Sequence, residues 1–206
     1  MVYKDKILIL GAGGHGRAAA YVAAKMKKWS EIAFLNDADI QEMMDFKIIG
    51  RFKDAPHYKE EYDLFVAIGD NDIREKILIQ LEAENASIPV LIHPGASSGE
   101  NVTLGAGTIV MDGAVIICNT TIGKGVIVNT SSSIDHDNRI GDYVHISPGT
   151  HIAGDVKVGK NTWICIGATV INHLTIADHC TIGAGAVVIK SITEVGTYIG
   201  VPATKR

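Results

Sequence analysis

The stretch TIGKGVIVNTSSSIDHDNRIGDYVHISPGTHIAGDVKVG, residues 121–159, decides the fold. Within it an aliphatic residue returns at every sixth position: Ile122, Val128, Ile134, Ile140, Ile146, Ile152 and Val158. The same frame runs outward without a slip, back through Ile116 and Val110 to Leu104 and forward through Ile164, Val170, Ile176 and Ile182 to Val188. A second rule holds two residues before each of these. Thr108, Ala114, Thr120, Val126, Ser132, Val144, Thr150, Val156, Thr162, Ala168 and Ala186 are small or β-branched, and only Asn138, Leu174 and Cys180 depart from the pattern. A period of six matches neither a heptad nor a helix of about 3.6 residues per turn. It is the signature of a parallel β-helix, whose short segments bury a continuous aliphatic column only when stacked. The abundance of Thr, Val and Ile agrees with strand.

If three hexapeptides close one coil, residues 18 apart lie on neighbouring coils, separated by about 4.8 Å as in paired strands. Three columns then follow for the position two after each aliphatic. One reads Cys118, His136, Gly154, Asn172, Lys190; the second Asp112, Thr130, Pro148, Ile166, Ala184; the third Ala106, Lys124, Asp142, Lys160, Asp178. The third is an edge of alternating charge from Lys124 on. The second is uncharged from Thr130 on and suits contact with a ligand or another subunit. The first sets a histidine beside a glycine on the next coil. His136 lies between Asp135 and Asp137, and a flanking carboxylate can hold an imidazole in one tautomer and make it a better base. Gly154 leaves a backbone N–H open toward a ligand oxygen. A base and an amide donor one strand spacing apart suit acyl transfer. The plain alternative is that both aspartates are turn residues and His136 is solvated surface.

The first part of the chain reads differently. Ile7–Leu10 is a buried strand that runs into Gly11-Ala12-Gly13-Gly14-His15-Gly16 and an Ala-rich helix from Ala18 to about Lys28. Gly11, Gly13 and Gly16 fit the G-x-G-x-x-G pattern after a strand, a turn whose amides can face a phosphate at a helix N-terminus. Further strands are expected over Ile32–Leu35, ending at Asn36-Asp37, and Leu64–Ile68, ending at Gly69-Asp70-Asn71. A helix follows over 72–84, then a short strand over Ile88–Ile92. These loops would meet at the carboxyl edge of a small parallel sheet, where such folds bind ligands. There is room for one βαβαβ half, so a single nucleotide diphosphate fits better than a dinucleotide. The fold class expected is a small Rossmann-like α/β domain over 1–93 followed by a left-handed parallel β-helix over 94–206.

Composition narrows the function. Across 206 residues the formal charge is −4 with both signs mixed, which gives no nucleic-acid footprint. No apolar run reaches the length of about 18 residues that a membrane span needs, and the start is too short in apolar residues for a signal peptide. Three cysteines without metal-type spacing suggest reduced thiols and a cytoplasmic location. The paired histidines His145/His151 and His173/His179 are six apart, so each pair is one repeat position on successive faces and fits no zinc pattern.

Together, the repeat with Ser131-Ser132-Ser133-Ile134-Asp135-His136-Asp137, the ending Gly200-Val201-Pro202-Ala203 and the opening Gly11-Ala12-Gly13-Gly14-His15-Gly16 resemble the sialic acid O-acetyltransferase (NeuD) family, including its PglD-type UDP-aminosugar N-acetyltransferases. The resemblance covers both domains in order. It implies a homotrimer with acetyl-CoA between adjacent β-helices, no metal, and a UDP-sugar held by the N-terminal domain. By that resemblance His136 is the base and Asp137 orients it. His145, Gly154, Ile166 and Ala184 contact acetyl-CoA. Gly11, Gly13, Gly14, His15, Gly16, Asn36, Asp37, Gly69 and Asp70 line the nucleotide-sugar site. Relatives often carry two aspartates where this chain has Asn36-Asp37. The expected reaction is acetylation of the 4-amino group of a UDP-4-amino-4,6-dideoxysugar. An O-acetyltransferase acting on a sugar or sialic acid hydroxyl, and a non-catalytic β-helix scaffold, remain as alternatives.

Overall fold

The computed structural model describes residues 4–38 and 46–206. The chain forms two compact units, Met1–His93 and Pro94–Arg206.

The first unit is built on a parallel sheet in the order β3-β2-β1-β4, with β1 at Lys6–Leu10, β2 at Glu31–Leu35, β3 at Lys47–Gly50 and β4 at Asp63–Val66. Helices α1 (Gly14–Met26), α2 (Ala55–Tyr58) and α3 (Asn71–Ala83) accompany it. Ile7, Leu8, Ile9 and Leu10 are all buried, so both faces of β1 are covered, as a parallel sheet requires. The buried face of α1 carries Ala19, Ala20, Val22 and Ala23, whose small side chains allow close packing. Several details differ from the sequence reading. Helix α1 starts at Gly14, inside the glycine motif rather than at Ala18, and stops when Lys27 turns left-handed at φ 53. Strand β3 carries no sequence signal of its own; its four residues KIIG are held by pairing with β2. The expected strand at 88–92 narrows to Leu91–Ile92 and lies outside this four-stranded sheet.

The second unit is the left-handed parallel β-helix. Each hexapeptide supplies a two-residue strand ending on the repeat's aliphatic, as in Ser133–Ile134 or His151–Ile152. The strands stack in register at a separation of 18 residues: Ile122 on Ile140 on Val158 on Ile176, Val128 on Ile146 on Ile164 on Ile182, and Ile134 on Ile152 on Val170 on Val188. These aliphatics point inward and form one core with the small residues two places before them. Burying each Val or Ile contributes about 1.5–3 kcal/mol relative to leaving it exposed. The period stops after Val188, where Ile192 and Tyr198 finish the column and Thr197–Ile199 pairs with Thr181–Ile182. The C-terminus is anchored there, with Thr204–Lys205 pairing antiparallel to Tyr198–Ile199 and Lys205 Nζ 2.7 Å from Glu194 Oε2.

Two features hold the turns. Every sixth residue from Asn101 to Gly185 is left-handed, including Asn119 (φ 51), Asp137 (φ 61), Asp155 (φ 54) and His173 (φ 60). That conformation costs roughly 1–2 kcal/mol for most L-residues and is best tolerated by Gly, Asn and Asp, which fill eleven of these fifteen positions. The charged column also does more than face solvent. Asp142 Oδ1 accepts the Lys124 amide and Asp178 Oδ1 accepts the Lys160 amide, each at 2.8 Å, so the acids clip one coil to the next.

Candidate active site

In the first unit the three sequence-predicted loops gather at the carboxyl ends of β1, β2 and β4, and their glycines do different jobs. Gly11 has φ +109, and a Cβ there would lie 2.9 Å from Ala67 O. A Cβ on Gly16 would lie 1.9 Å from Gly11 O, so Gly16 is what lets α1 start directly against the strand end. Gly13 and Gly69 face open space, which leaves their backbones approachable. Asn36 Oδ1 accepts the Ala12 amide at 3.1 Å while its Nδ2 donates to Ala38 O at 2.7 Å, so this side chain ties the glycine loop to the end of β2. Asp37 Oδ1 accepts the Phe52 amide at 2.9 Å. Asp70 caps α3 by accepting the Ile73 amide at 2.9 Å. His15 lies in the first turn of α1.

Arg74 supports these loops as well. It is only 1 % exposed, and its guanidinium donates to Ile68 O (2.9 Å), Gly69 O (3.1 Å) and Asn71 Oδ1 (2.7 Å), fixing the loop after β4 from beneath. A helix position of this kind carries no motif; its role appears only with the fold. Because the Gly16 contact is with backbone that cannot move aside, Gly16→Ala is expected to destabilise the first unit by about 3 kcal/mol, the upper end of ordinary overpacking. Thermal denaturation of the full chain, together with nucleotide binding, measures this.

In the second unit His136 stands at a turn, its side chain 51 % exposed. The left-handed backbone of Asp137 brings its Oδ2 to 2.7 Å from His136 Nδ1. With the carboxylate accepting, Nδ1 carries the proton and Nε2 is left as the acceptor. Asp135 Oδ1 accepts the His136 amide at 3.0 Å and fixes the turn. The hydrogen bond to Asp137, aided by the negative charges of Asp135, Asp137 and Asp155, raises the His136 pKa above its ordinary 6.5. The same hydrogen bond lowers the Asp137 pKa, so it stays a carboxylate.

Gly154 lies directly against this ring. A Cβ built on it would be 2.5 Å from His136 Cε1 and 2.6 Å from Nε2. At the same turn position elsewhere, Asp135 and Asn129 cap the following amides of His136 and Thr130. Gly154 follows Ala153, which has no such group, and among the described residues its amide has no hydrogen-bond partner. A proton acceptor and an uncommitted N–H are thus side by side on adjacent coils.

The remaining coenzyme candidates lie elsewhere on the coil. His145 stacks on Trp163 with ring centroids 5.6 Å apart at 9°, and its Nε2 lies 3.4 Å from Asn129 Nδ2. Trp163 Nε1 donates to Ser147 Oγ at 2.9 Å. Asn129, not singled out from sequence, therefore joins His145. Ile166 is 58 % exposed and Ala184 is exposed, each followed by a left-handed glycine (Gly167, Gly185) with open space around it. They form a smooth strip at a different turn from His136, so one chain does not bring them together with the His136–Gly154 pair. Burial pushes the Cys165 and Cys180 thiols above the ordinary range, away from the thiolate a nucleophile needs.

Removing the carboxylate partner shows which way the pH dependence runs. A raised imidazole pKa keeps His136 protonated at low pH, so the base form grows in as pH rises through that value. Asp137→Asn is expected to move the acidic limb of the kcat profile toward lower pH, closer to 6.5. It should also lower the plateau by about tenfold or more through loss of orientation. An unmoved limb would separate Asp137 from the titration of His136.

Comparison with known proteins places the whole chain. Residues 6–81 match the PglD N-terminal domain and residues 155–190 match the bacterial transferase hexapeptide model of six repeats. The acetyltransferase domain of PglB from Neisseria gonorrhoeae is 36 % identical over 98 % of this chain and 100 % of that one, with a TM-score of 0.96, and has also been solved in complex with acetyl coenzyme A. PerB from Caulobacter crescentus, solved in complex with CoA and GDP-perosamine, is 33 % identical over 98 % and 97 % of the two chains, with a TM-score of 0.92. Similarity of this extent, carried through both units in the same order, means that the chain belongs to the PglD-type family of hexapeptide-repeat sugar N-acetyltransferases.

Proposed function

We propose that this acetyl-CoA-dependent N-acetyltransferase acts on the 4-amino group of a UDP-linked 4-amino-4,6-dideoxysugar, for bacterial surface glycan or glycoprotein synthesis. The observation that carries the reaction type is the His136 imidazole, bound through Nδ1 to Asp137 and lying on Gly154. The sugar amine attacks the thioester carbonyl, forming the C–N bond. Nε2 of His136 takes the amine proton, and the C–S bond then breaks and the coenzyme thiolate departs, receiving that proton. Asp137 holds the ring and steadies the imidazolium. The Gly154 N–H donates to the developing oxyanion, an effect typically worth about 3 kcal/mol per donor.

The first unit holds the nucleotide, with the glycine loop on the diphosphate and Asn36, Gly69 and Asp70 nearby. Supporting this are the open backbones of Gly13 and Gly69 and the match to the PglD N-terminal domain. The protein works as a homotrimer, in which the smooth strip at Ile166 and Ala184 on one subunit lines the coenzyme groove beside His136 of another. What supports that arrangement is that the two sets of residues occupy different turns of one chain, while the strip is exposed and free of charge.

The test is product mass. Incubation with acetyl-CoA and a panel of UDP- and GDP-linked 4-amino sugars, with free sialic acid alongside, should yield one added acetyl group on a UDP-aminosugar amine. Acetylation confined to the GDP-sugars would overturn the assignment of the base, and acetylation of a hydroxyl would overturn that of the acceptor. Light scattering settles the trimer.

A further inference from the structure

Asn138 breaks the repeat's inward rule. It occupies the slot two before the aliphatic, filled elsewhere by Ala114, Thr120, Val126 or Thr150, and it is 0 % exposed. Burying an amide is costly unless its hydrogen bonds are made, and here they are. Nδ2 lies 2.8 Å from Asp135 O, 3.3 Å from His136 O and 3.1 Å from Ala153 O, while Oδ1 accepts the Val156 amide at 3.0 Å. The partners fall into two pairs. The Asp135 and His136 carbonyls belong to the turn that carries the base. Ala153 and Val156 bracket Gly154 on the next coil.

A threonine in this slot achieves part of the same. Thr120 Oγ1 accepts the Asn138 amide at 3.3 Å and lies 3.0 Å from Cys118 O and 3.1 Å from Asp135 O, but a hydroxyl has one proton to give. Asparagine has two N–H bonds as well as the acceptor. The additional donor is directed at the His136 turn, at a coil junction where the repeat itself is satisfied by threonine or alanine. We propose that Asn138 is a positioning residue for acetyl transfer: it fixes the His136 turn to the Gly154 turn and so sets the alignment of the imidazole with the Gly154 amide. This rests on the reading of His136 as the base.

The test uses Asn138→Thr and Asn138→Ala in the full-length protein. Four quantities are measured: melting temperature, acetyl-CoA affinity by direct binding, the kcat–pH profile, and the His136 titration followed by NMR of its ring Cε1–H. The charged groups facing the ring, Asp135, Asp137 and Asp155, are unchanged in both variants. In Asn138→Thr, which keeps an acceptor for the Val156 amide but has a single proton for the His136 turn and Ala153 O, coenzyme affinity should stay within about twofold while kcat falls roughly tenfold to a hundredfold, as expected for a misplaced reacting group. The His136 midpoint should move toward the ordinary value of about 6.5 as its alignment with Asp137 loosens. Asn138→Ala should show the same kinetic change with a lower melting temperature. A purely structural role predicts lower melting temperatures with kcat and the His136 midpoint unchanged at a temperature where both variants are folded; that result would overturn the proposal. If the parent acetylates no nucleotide-linked aminosugar, the functional reading fails, and the titration decides Asn138 alone: a moved midpoint supports its positioning role and an unmoved one overturns it.

Discussion

His136→Ala is expected to bind acetyl-CoA with near-parental affinity and to turn over at least about a hundredfold more slowly, the usual range for removing a general base being about 10²–10⁴-fold. His136 projects from a turn, half-exposed, and contributes nothing to the aliphatic column that holds the coil together. Its loss leaves the stacking of Ile134 on Ile152 intact, so the fold and the exposed strip at Ile166 and Ala184 should persist. What disappears is an imidazole whose Nδ1 is tied to a carboxylate and whose Nε2 is left to accept a proton beside an amide that has no partner among the described residues. A second histidine–aspartate contact on the helix, His173 Nδ1 to Asp155 Oδ2 at 2.9 Å, lies one coil further on, where no glycine among the described residues packs against the ring in this way. Single-turnover kinetics with saturating coenzyme would separate binding from chemistry. Near-normal turnover would remove His136 from the mechanism.

Gly154→Ala should be nearly as damaging, for a reason peculiar to this site. Many glycines of the repeat are required by their left-handed backbone, as at Gly149 and Gly167, whereas the Gly154 backbone is not in that region. Alanine is therefore permitted there by the chain but not by the ring. The added Cβ would lie 2.5 Å from His136 Cε1, closer than carbon atoms approach, and the imidazole must swing away. Because the ring is half-exposed it has room to do so, and the melting temperature should change little. Swinging away breaks the 2.7 Å bond to Asp137 and moves Nε2 from the Gly154 amide. Turnover is expected to fall about a hundredfold, the cost of roughly an ångström of misplacement. The His136 pKa should drop toward 6.5, since the hydrogen bond that raises it is lost. A lowered melting temperature with unchanged turnover would show that Gly154 serves packing alone.

That His136 and Gly154 share a column follows from arithmetic on the repeat, because a step of six with three faces places residues 18 apart on adjacent coils. The register Ile134 on Ile152 has that spacing. That the ring lies on the glycine, and that Asp137 rather than Asp135 holds Nδ1, are matters of torsion angle. Asp137 is left-handed at φ 61, which turns its carboxylate onto the ring, while Asp135 accepts a backbone amide. Two aspartates flanking a histidine look alike in sequence.

The first unit shows the same division. The strand–glycine–helix pattern of residues 7–28 and the later βα element are visible because hydrophobic runs and glycines mark them. Strand β3 has only four residues and is held by its partner β2, so no periodicity of its own could announce it. Arg74 looks like an ordinary helix-surface residue until its guanidinium is seen to meet two carbonyls and Asn71.

The amino-acid sequence by itself determined the β-helix, its register and the pairing of a histidine with a glycine, because each inward position must be aliphatic or small for neighbouring coils to stack. Only the tertiary structure decided which acid grips the histidine, that the Gly154 amide has no partner among the described residues, and that Asn138 ties the two turns together. Those depend on backbone angles and on hydrogen bonds between residues up to 18 apart, and a hydrogen bond to a distant carbonyl leaves no trace in the identity of the residue that owns the carbonyl.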